Sequence, residues 1–281
     1  MQRLVVWWLT LVLKTSLLFV QVGVKATEPT ALAQRPKDIV LVLDNSGSMN
    51  KNDPDFLVKK ALGQFVRQVS SDTRLGILIF DEVAKLAVPL TPLGGDTRDA
   101  VLARLEQLDY RGRWTNSAAA MEQAMYELMV NSREDATKSI IFLTDGIVDT
   151  GDPARDLEST RWLREELAAG AAANGIRIYQ IALSDQADFQ LLQSLAQKTR
   201  GNYFRALQAE YIPHVLDRIQ TAILREATRT QATRPGPEGA PERPTTHAMG
   251  PATTPQAVSM AKAPVTKPTA ESQKGSRPRS D

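Results

Sequence analysis

Apolar runs and amphipathic stretches alternate along most of the chain, from Asp38 to about Arg225. Six apolar runs have the length and composition of β-strands: Asp38 to Leu43, Arg74 to Phe80, Val83 to Leu90, Lys138 to Leu143, Ile176 to Ala182 and Tyr203 to Arg205. Between them, apolar residues recur at helical spacing in Phe56 to Val69, Thr97 to Leu108, Ser117 to Val130, Leu157 to Ala173, Asp188 to Gln197 and Glu210 to Leu224. This alternation predicts an α/β fold, with a doubly wound, mostly parallel sheet and helices on both faces.

One connection in this pattern is too short for a crossover. Only Asp81-Glu82 separates the second predicted strand from the third. A link of this length permits a hairpin, whereas parallel neighbours need a much longer connection. The sequence therefore predicts one antiparallel edge strand.

The beginning of the chain differs from the central part. Met1-Gln2-Arg3 precedes the apolar runs Leu4 to Leu13 and Leu17 to Val24, and Ala31-Leu32-Ala33 follows them. A basic start, an apolar segment and an Ala-x-Ala site are typical of a secretory signal peptide. We interpret residues 1–33 as a signal peptide or, if it is not cleaved, as an N-terminal membrane anchor. Lys14 favours cleavage, because a lysine near the centre of a span costs about 3 kcal/mol on insertion scales.

The end of the chain also changes in character. After residue 225 the sequence is rich in Thr, Pro and Ala, and its apolar periodicity disappears. Such a composition cannot bury enough surface to offset the entropy of ordering. We therefore predict a folded domain at residues 34–225 and a disordered tail at residues 226–281.

Composition excludes several classes of function. The formal net charge is only +2 and aromatic residues make up 6% of the chain, which does not favour nucleic-acid binding. The absence of cysteine excludes disulfides, thiolate metal sites and a cysteine nucleophile. The two histidines, His214 and His247, lie far from the polar loops described next, and the chain has no phosphate-binding loop or Gly-x-Ser-x-Gly motif. We predict that the protein is not an enzyme.

Three polar loops carry the chemistry of the sequence. Asp44-Asn45-Ser46-Gly47-Ser48 follows the first predicted strand, and Thr144-Asp145-Gly146 follows the fourth. Arg113-Trp114-Thr115-Asn116-Ser117 precedes the helix that begins near Ala118. The carboxyl ends of parallel strands are where open α/β sheets bind ligands. Hydroxyl and carboxylate oxygens suit a hard divalent cation.

Helix capping is the structural alternative for these hydroxyls, and other residues satisfy it. Asp53-Pro54-Asp55 supplies a capping acid and a first-turn proline for the helix near Phe56, which leaves Ser46 and Ser48 available. Any one of Thr115, Asn116 and Ser117 suffices to cap its helix, so Thr115 is also available. Downstream of Asp145, we interpret Asp149 and Asp152 as turn residues, with Asp152-Pro153 opening the next helix.

The three loops in this order resemble the von Willebrand factor A domain family, whose fold is Rossmann-like. In that family the loops build a metal-ion-dependent adhesion site. The resemblance implies that Mg²⁺ (or Mn²⁺ or Ca²⁺) binds at Asp44, Ser46, Ser48, Thr115 and Asp145. It implies direct ligation by the three hydroxyls, while the two carboxylates orient bound waters and one coordination position remains open for an Asp or Glu of a partner protein.

Arg113 and Trp114 stand directly before Thr115. An exposed tryptophan beside an arginine is typical of an interface anchor, so one interpretation is that both residues contact the partner. The other interpretation is that Trp114 packs onto the domain surface beneath the loop.

Together these features predict an exported, metal-dependent protein-binding module of the periplasm, the cell envelope or the exterior. Membrane contact is expected only through an uncleaved N-terminal segment, and nucleic acid is not an expected partner. Two alternatives remain open at this point. Asp44 could accept a phosphoryl group in a metal-dependent transfer enzyme, or the fold could be a structural scaffold whose metal site is incidental.

Overall fold

The computed structural model of the chain describes residues 34–146 and 148–232. The predicted signal peptide or anchor at residues 1–33 lies outside the described residues, as does the predicted tail from residue 233 onward. In the part of the chain that the structure describes, no helix has both the length and the hydropathy needed to cross a bilayer.

A six-stranded sheet forms the centre of the described domain, in the order β3-β2-β1-β4-β5-β6. The strands are β1 (Lys37–Asp44), β2 (Thr73–Phe80), β3 (Ala84–Pro92), β4 (Thr137–Thr144), β5 (Ile176–Ala182) and β6 (Tyr203–Arg205). Every neighbouring pair is parallel except β2 and β3, which form an antiparallel hairpin at one edge. The predicted α/β class, the mostly parallel sheet and the antiparallel edge strand are confirmed.

Helices cover both faces of this sheet. They are α1 (Met49–Asn52), α2 (Leu57–Gln68), α3 (Gly95–Leu105), α4 (Ser117–Asn131), α5 (Pro153–Trp162), α6 (Ala168–Ala173), α7 (Phe189–Lys198) and α8 (Ile212–Ala232). A π-helical turn, Leu163–Leu167, joins α5 to α6, and a 3₁₀ turn, Ala209–Tyr211, precedes α8.

The core has two layers because successive side chains of a strand point to opposite faces. In β1, Ile39 and Leu41 pack with α2, α3 and α8, whereas Val40 and Val42 pack with α4, α7 and the π turn. Strands buried on both faces read as continuous apolar runs, which is why these strands are visible in the sequence.

The start of α2 differs from the prediction. Asp53 was expected to cap a helix with Pro54 in its first turn, but the helix begins only at Leu57. Phe56 adopts a left-handed conformation, with a φ of 53°, and its ring stacks on Tyr110 at a centroid distance of 4.7 Å. The Asp53 carboxylate still caps the helix from a distance, because it accepts hydrogen bonds from Leu57 N (2.7 Å) and Val58 N (3.1 Å).

The helix predicted at Leu157 to Ala173 begins earlier. Asp152 accepts a hydrogen bond from Ala154 N, and Pro153 occupies the first helical position. The dipeptide therefore opens this helix as the sequence indicated, while the π-helical turn has no signal in the apolar pattern.

The last helix extends past the predicted domain boundary at residue 225. It continues to Ala232, so residues 226–232 are helical and do not belong to a disordered tail. Ala227 is fully buried, and its carbonyl oxygen accepts a hydrogen bond from Arg35 N at 3.3 Å. Packing at Ala227 thus prolongs a helix whose apolar stripe weakens after Leu224.

Candidate metal centre

Asp44 is the innermost residue of the predicted metal site. It ends β1, in the middle of the sheet, and is fully buried. Its Oδ1 accepts a hydrogen bond from Ser46 N at 2.8 Å, and its Oδ2 accepts one from the Thr144 hydroxyl at 2.5 Å. Because Thr144 ends β4, this second bond joins the carboxyl ends of two neighbouring strands.

A chain of side-chain oxygens connects the first loop with the loop after β4. Ser46 Oγ lies 3.0 Å from Ser48 Oγ, and the Ser48 hydroxyl donates to Asp145 Oδ1 at 2.8 Å. The other carboxylate oxygen of Asp145 accepts from Asn52 Nδ2 at 2.7 Å. The structure therefore brings Ser46, Ser48 and Asp145 together, although 97 positions separate Ser48 from Asp145 in the sequence.

Backbone hydrogen bonds fix the first loop against the loop before α4. Gly47 N donates to Gly112 O at 2.7 Å, and Gly112 N donates to Asn45 O at 3.0 Å. A β-carbon on Gly112 would lie only 2.2 Å from Asp81 Cβ and 2.9 Å from Asn45 O. Glycine at this position is what allows the two loops to approach so closely.

Thr115 lies against the loop after β4. Its N–H donates to Asp149 O at 2.6 Å, and Asp149 N donates back to Thr115 O at 3.1 Å. Its hydroxyl oxygen lies 3.9 Å from the position that a β-carbon would take on Gly146, and the residue is buried. Asn116 caps α4 by accepting from Ala119 N, so capping does not occupy Thr115.

Burial dominates the electrostatics of the two carboxylates. Desolvation raises the pKa of Asp44 from 3.8 to about 6, against the opposing effect of its hydrogen bonds with Ser46 and Thr144, while the nearby charge of Asp145 adds to the rise. Desolvation also raises the pKa of Asp145, although hydrogen bonds from Asn52 and Ser48 favour its charged form. A buried carboxylate with a raised pKa gains free energy when a cation neutralises it.

The donor set fits a hard divalent cation. Hydroxyl and carboxylate oxygens are the protein ligands that Mg²⁺ and Ca²⁺ prefer, and two carboxylates offset the charge of such an ion. Among residues 34–146 and 148–232, no group of three or more His, Cys, Asp or Glu side chains forms a metal site. Any cation bound by these loops would therefore depend on the hydroxyl groups as well as on Asp44 and Asp145.

Arg113 and Trp114 lie beside the site in different environments. Trp114 is half-buried, and its ring covers Gly151, where a β-carbon would lie 2.7 Å from Trp114 Cζ2. This packing is the one that the second interpretation of Trp114 describes. Arg113 is exposed, and its guanidinium carbon lies 5.0 Å from the centre of the Trp114 ring.

Supporting residues that the sequence did not single out complete the arrangement. The Ser184 hydroxyl donates to Asp145 O. Asn45 Oδ1 accepts from the backbone N–H groups of Asp109 and Tyr110, both at 2.9 Å. Together with Thr144 and Asn52, these residues hold the loops in place. Only Thr144 and Asn45 carried a signal, because each stands next to a predicted site residue.

Comparison with known proteins identifies the family. A family model described as the von Willebrand factor type A domain matches residues 38–218. Calcium-activated chloride channel regulator 1 of Bos taurus is 28% identical over 184 residues, which make up 64% of this chain and 19% of that protein. The chain thus spans only about a fifth of the length of this relative.

Solved structures share the fold at low sequence identity. A von Willebrand factor type A structure from Catenulispora acidiphila superimposes with a TM-score of 0.57 at 17% identity, covering 68% of this chain and 43% of that one. Proximal thread matrix protein 1 from the mussel byssus, solved with a zinc-occupied MIDAS motif, gives a TM-score of 0.51 at 16% identity, covering 66% and 47%. With a family model that matches more than half of its length, this chain belongs to the von Willebrand factor type A domain family.

Proposed function

We propose that the domain binds a protein partner through a divalent cation held at the carboxyl ends of β1 and β4. The observation that carries this proposal is the chain of side-chain oxygens from Ser46 through Ser48 to Asp145. The chain starts two residues after Asp44, whose carboxylate is buried and accepts a hydrogen bond from Ser46 N. Neutral hydroxyls next to two carboxylates form a cation site with limited protein charge. An ion in such a site can still attract an anionic ligand from outside.

The hydroxyls of Ser46, Ser48 and Thr115 are the proposed direct ligands. Asp44 already accepts two hydrogen bonds at its position beneath the loop, which supports a role in orienting groups around the ion. Asp145 is held by Ser48 and Asn52 and has the same proposed role. We favour Mg²⁺, with Mn²⁺ or Ca²⁺ as alternatives, and the zinc-occupied motif of the mussel protein supports a divalent ion in a fold of this kind.

The proposed partner presents an Asp or Glu side chain to the ion. A carboxylate supplies the oxygen that a hard cation prefers and offsets its remaining charge. The exposed Arg113, two positions before Thr115, adds a positive group in the same loop that would attract an acidic partner. In this proposal Trp114 contributes mainly by supporting the loop, since its ring packs on Gly151.

Asp44 is poorly placed for the alternative role of phosphoryl acceptor. A nucleophilic carboxylate must reach the phosphorus atom, whereas Asp44 is fully buried and both of its oxygens accept hydrogen bonds. The scaffold alternative makes a different prediction, because it expects no loss of partner binding when the metal is removed. The sequence of residues 1–33 supports export as part of the proposal.

Affinity capture from a cell-envelope extract tests the proposed function. The baits are the wild-type chain, Asp44→Ala and the control Asp55→Ala, which removes an exposed carboxylate in the turn before α2. We expect the wild type and Asp55→Ala to recover the same partner in Mg²⁺ and to lose it in EDTA, and Asp44→Ala to recover none. Recovery that is equal in Mg²⁺ and EDTA would favour the scaffold alternative.

A further inference from the structure

A polar cavity lies at the opposite end of the sheet from the candidate metal centre. It has a volume of about 450 Å³, and its walls include the first residues of β4 and β5. The metal-site loops follow the carboxyl ends of the parallel strands, whereas this cavity lies at their amino ends. The two sites can therefore be occupied independently.

Positive side chains predominate in the cavity wall. The wall contains two acidic residues, Glu134 and Glu226, and five cationic ones. The cationic residues are Arg35, Lys138, Arg177, Lys198 and Arg200. A concave surface lined with one sign of charge concentrates ligands of the opposite sign.

Three of these cationic groups already have partners. Arg35 donates to the carbonyl oxygens of Asp135 (2.5 Å) and Ala136 (3.2 Å). Arg177 forms an ion pair with Glu226 at 2.5 Å, and Lys198 Nζ donates to Arg164 O at 2.6 Å. These groups serve the fold as well as the cavity.

The other two cationic groups of the wall have no partner in the described part of the chain. Within residues 34–146 and 148–232, neither the Lys138 ammonium nor the Arg200 guanidinium makes a hydrogen bond or an ion pair. Each of these two groups can donate hydrogen bonds to an anion in the cavity.

We infer that this cavity binds a phosphate group through Lys138 and Arg200. Both groups offer donors, and phosphate oxygens are acceptors that suit an ammonium as well as the planar fork of a guanidinium. A phosphate monoester carries a charge of about −1.5 to −2 at pH 7, which matches two free cations better than a single carboxylate does.

The bound phosphate group could belong to either of two kinds of molecule, a soluble phosphate compound or a lipid headgroup. Arg35 follows the apolar run that ends at Val24, and the ten residues between them span at most about 35 Å. If the N-terminal segment remains in a bilayer, the cavity is therefore within reach of headgroups. The experiment separates the two sources.

Isothermal titration calorimetry with inorganic phosphate is the first test. The full-length chain is studied in a non-ionic detergent as the wild type, Lys138→Gln, Arg200→Asn and the control Lys60→Gln, which removes an exposed charge on α2. Asparagine is chosen at position 200 because the φ of 58° there is left-handed, a conformation that Asn tolerates. Thermal unfolding followed by circular dichroism verifies that each variant is folded.

We expect saturable phosphate binding that weakens at least about tenfold in Lys138→Gln and in Arg200→Asn, and about twofold or less in Lys60→Gln. No saturable binding by the wild type at millimolar phosphate would overturn the inference. An equal loss in Lys60→Gln would also overturn it, because net charge alone would then explain the binding.

Sedimentation with vesicles identifies the source. Phosphatidylcholine vesicles with and without phosphatidic acid are compared for the wild type and Lys138→Gln. Extra binding caused by phosphatidic acid that is lost in Lys138→Gln assigns the site to a lipid headgroup. No extra binding, together with the expected calorimetric result, assigns it to a soluble phosphate compound.

Discussion

The Ser48 hydroxyl donates a hydrogen bond to Asp145 Oδ1 at 2.8 Å, although the two residues belong to loops that follow different strands. The parallel pairing of β1 with β4 makes this contact, because it places the ends of both strands at the same edge of the sheet. With Asp44 and Ser46, the pair forms the core of the proposed metal centre.

Thr144→Val is expected to weaken Mg²⁺ binding without unfolding the domain. The Thr144 hydroxyl donates to Asp44 Oδ2 at 2.5 Å and accepts from Gly146 N at 3.2 Å, so it positions both loops. Loss of such a supporting group typically costs about 10–100-fold in metal affinity. Calorimetry measures the change, and Thr144→Ser is the control that keeps the hydroxyl. Equal affinities of Thr144→Val and the wild type would rule out this positioning role.

Gly112→Ala is expected to separate the first loop from the loop before α4. A β-carbon there would overlap Asp81 Cβ and press on Asn45 O, so the backbone contact between Gly47 and Gly112 has to move. We expect a loss of about 1–3 kcal/mol in the free energy of unfolding, accompanied by weaker Mg²⁺ binding.

Gly94→Ala is the matched control for Gly112→Ala. Its β-carbon would meet no atom within 4 Å, and we expect a change of less than about 1 kcal/mol. Urea unfolding of both variants gives the comparison. Similar losses in the two would show that close packing at Gly112 does not hold the loops together.

The stability of the metal-free domain is expected to fall as the pH rises from about 4 to about 6. Burial raises the pKa of Asp44 from 3.8 to about 6, so the folded state binds its proton more tightly than the unfolded state does. The stabilisation that Asp44 contributes is fully present below its pKa in the unfolded state, 3.8. It is lost as the pH rises through its pKa in the folded state, about 6. At 1.36 kcal/mol per unit it amounts to about 3 kcal/mol.

Urea unfolding in EDTA across this pH range measures the effect, with Asp44→Asn as the reference that cannot titrate. The difference between the wild type and this variant is the quantity of interest, because it removes the contributions of other carboxyl groups. Saturating Mg²⁺ should flatten the dependence, since a bound cation favours the carboxylate form. The same pH dependence in the wild type and Asp44→Asn would refute the assignment.

Arg133→Ala is expected to destabilise the domain by about 3–5 kcal/mol. Asp38 is fully buried, and Arg133 supplies three of its hydrogen bonds, from the backbone N at 2.7 Å, Nε at 3.0 Å and Nη2 at 2.5 Å. Removing the guanidinium leaves a buried carboxylate without its ion pair. Arg74→Ala is the control, because among the described residues that side chain donates only to Asn131 O, at 3.5 Å. Equal losses in the two variants would contradict the special role of the buried pair.

The fold was largely predictable because its four central strands, β1, β2, β4 and β5, are buried on both faces. A strand such as β1 has to be apolar at consecutive positions, and the two-residue link at Asp81-Glu82 left the hairpin as the only geometry. The ends of the helices were harder to predict. The left-handed Phe56 delays α2, and the burial of Ala227 prolongs α8; both depend on tertiary contacts that no local pattern encodes.

The site residues were likewise predictable where a local pattern marks them and not where they depend on tertiary contacts. Acids and hydroxyls at strand ends stand out against apolar runs, and the sequence therefore predicts site residues at Asp44, Ser46, Ser48, Thr115 and Asp145. Asn52, which donates to Asp145, is not predicted, because it belongs to the short helix α1 and nothing in the sequence places that helix over the loop after β4. Thr144 belongs to a polar loop that the sequence marks, but no local pattern pairs its hydroxyl with Asp44. The order of the strands decides which side-chain oxygens meet, because it places β1 next to β4.

Anomalous diffraction from crystals grown with Mn²⁺ shows whether a cation binds at this edge of the sheet. We predict one strong anomalous peak bounded by the hydroxyls of Ser46, Ser48 and Thr115, with Asp44 and Asp145 close enough to act through water. Crystals of Asp44→Ala should show no such peak. A peak located elsewhere, or no peak at this edge of the sheet in the wild type, would contradict this prediction.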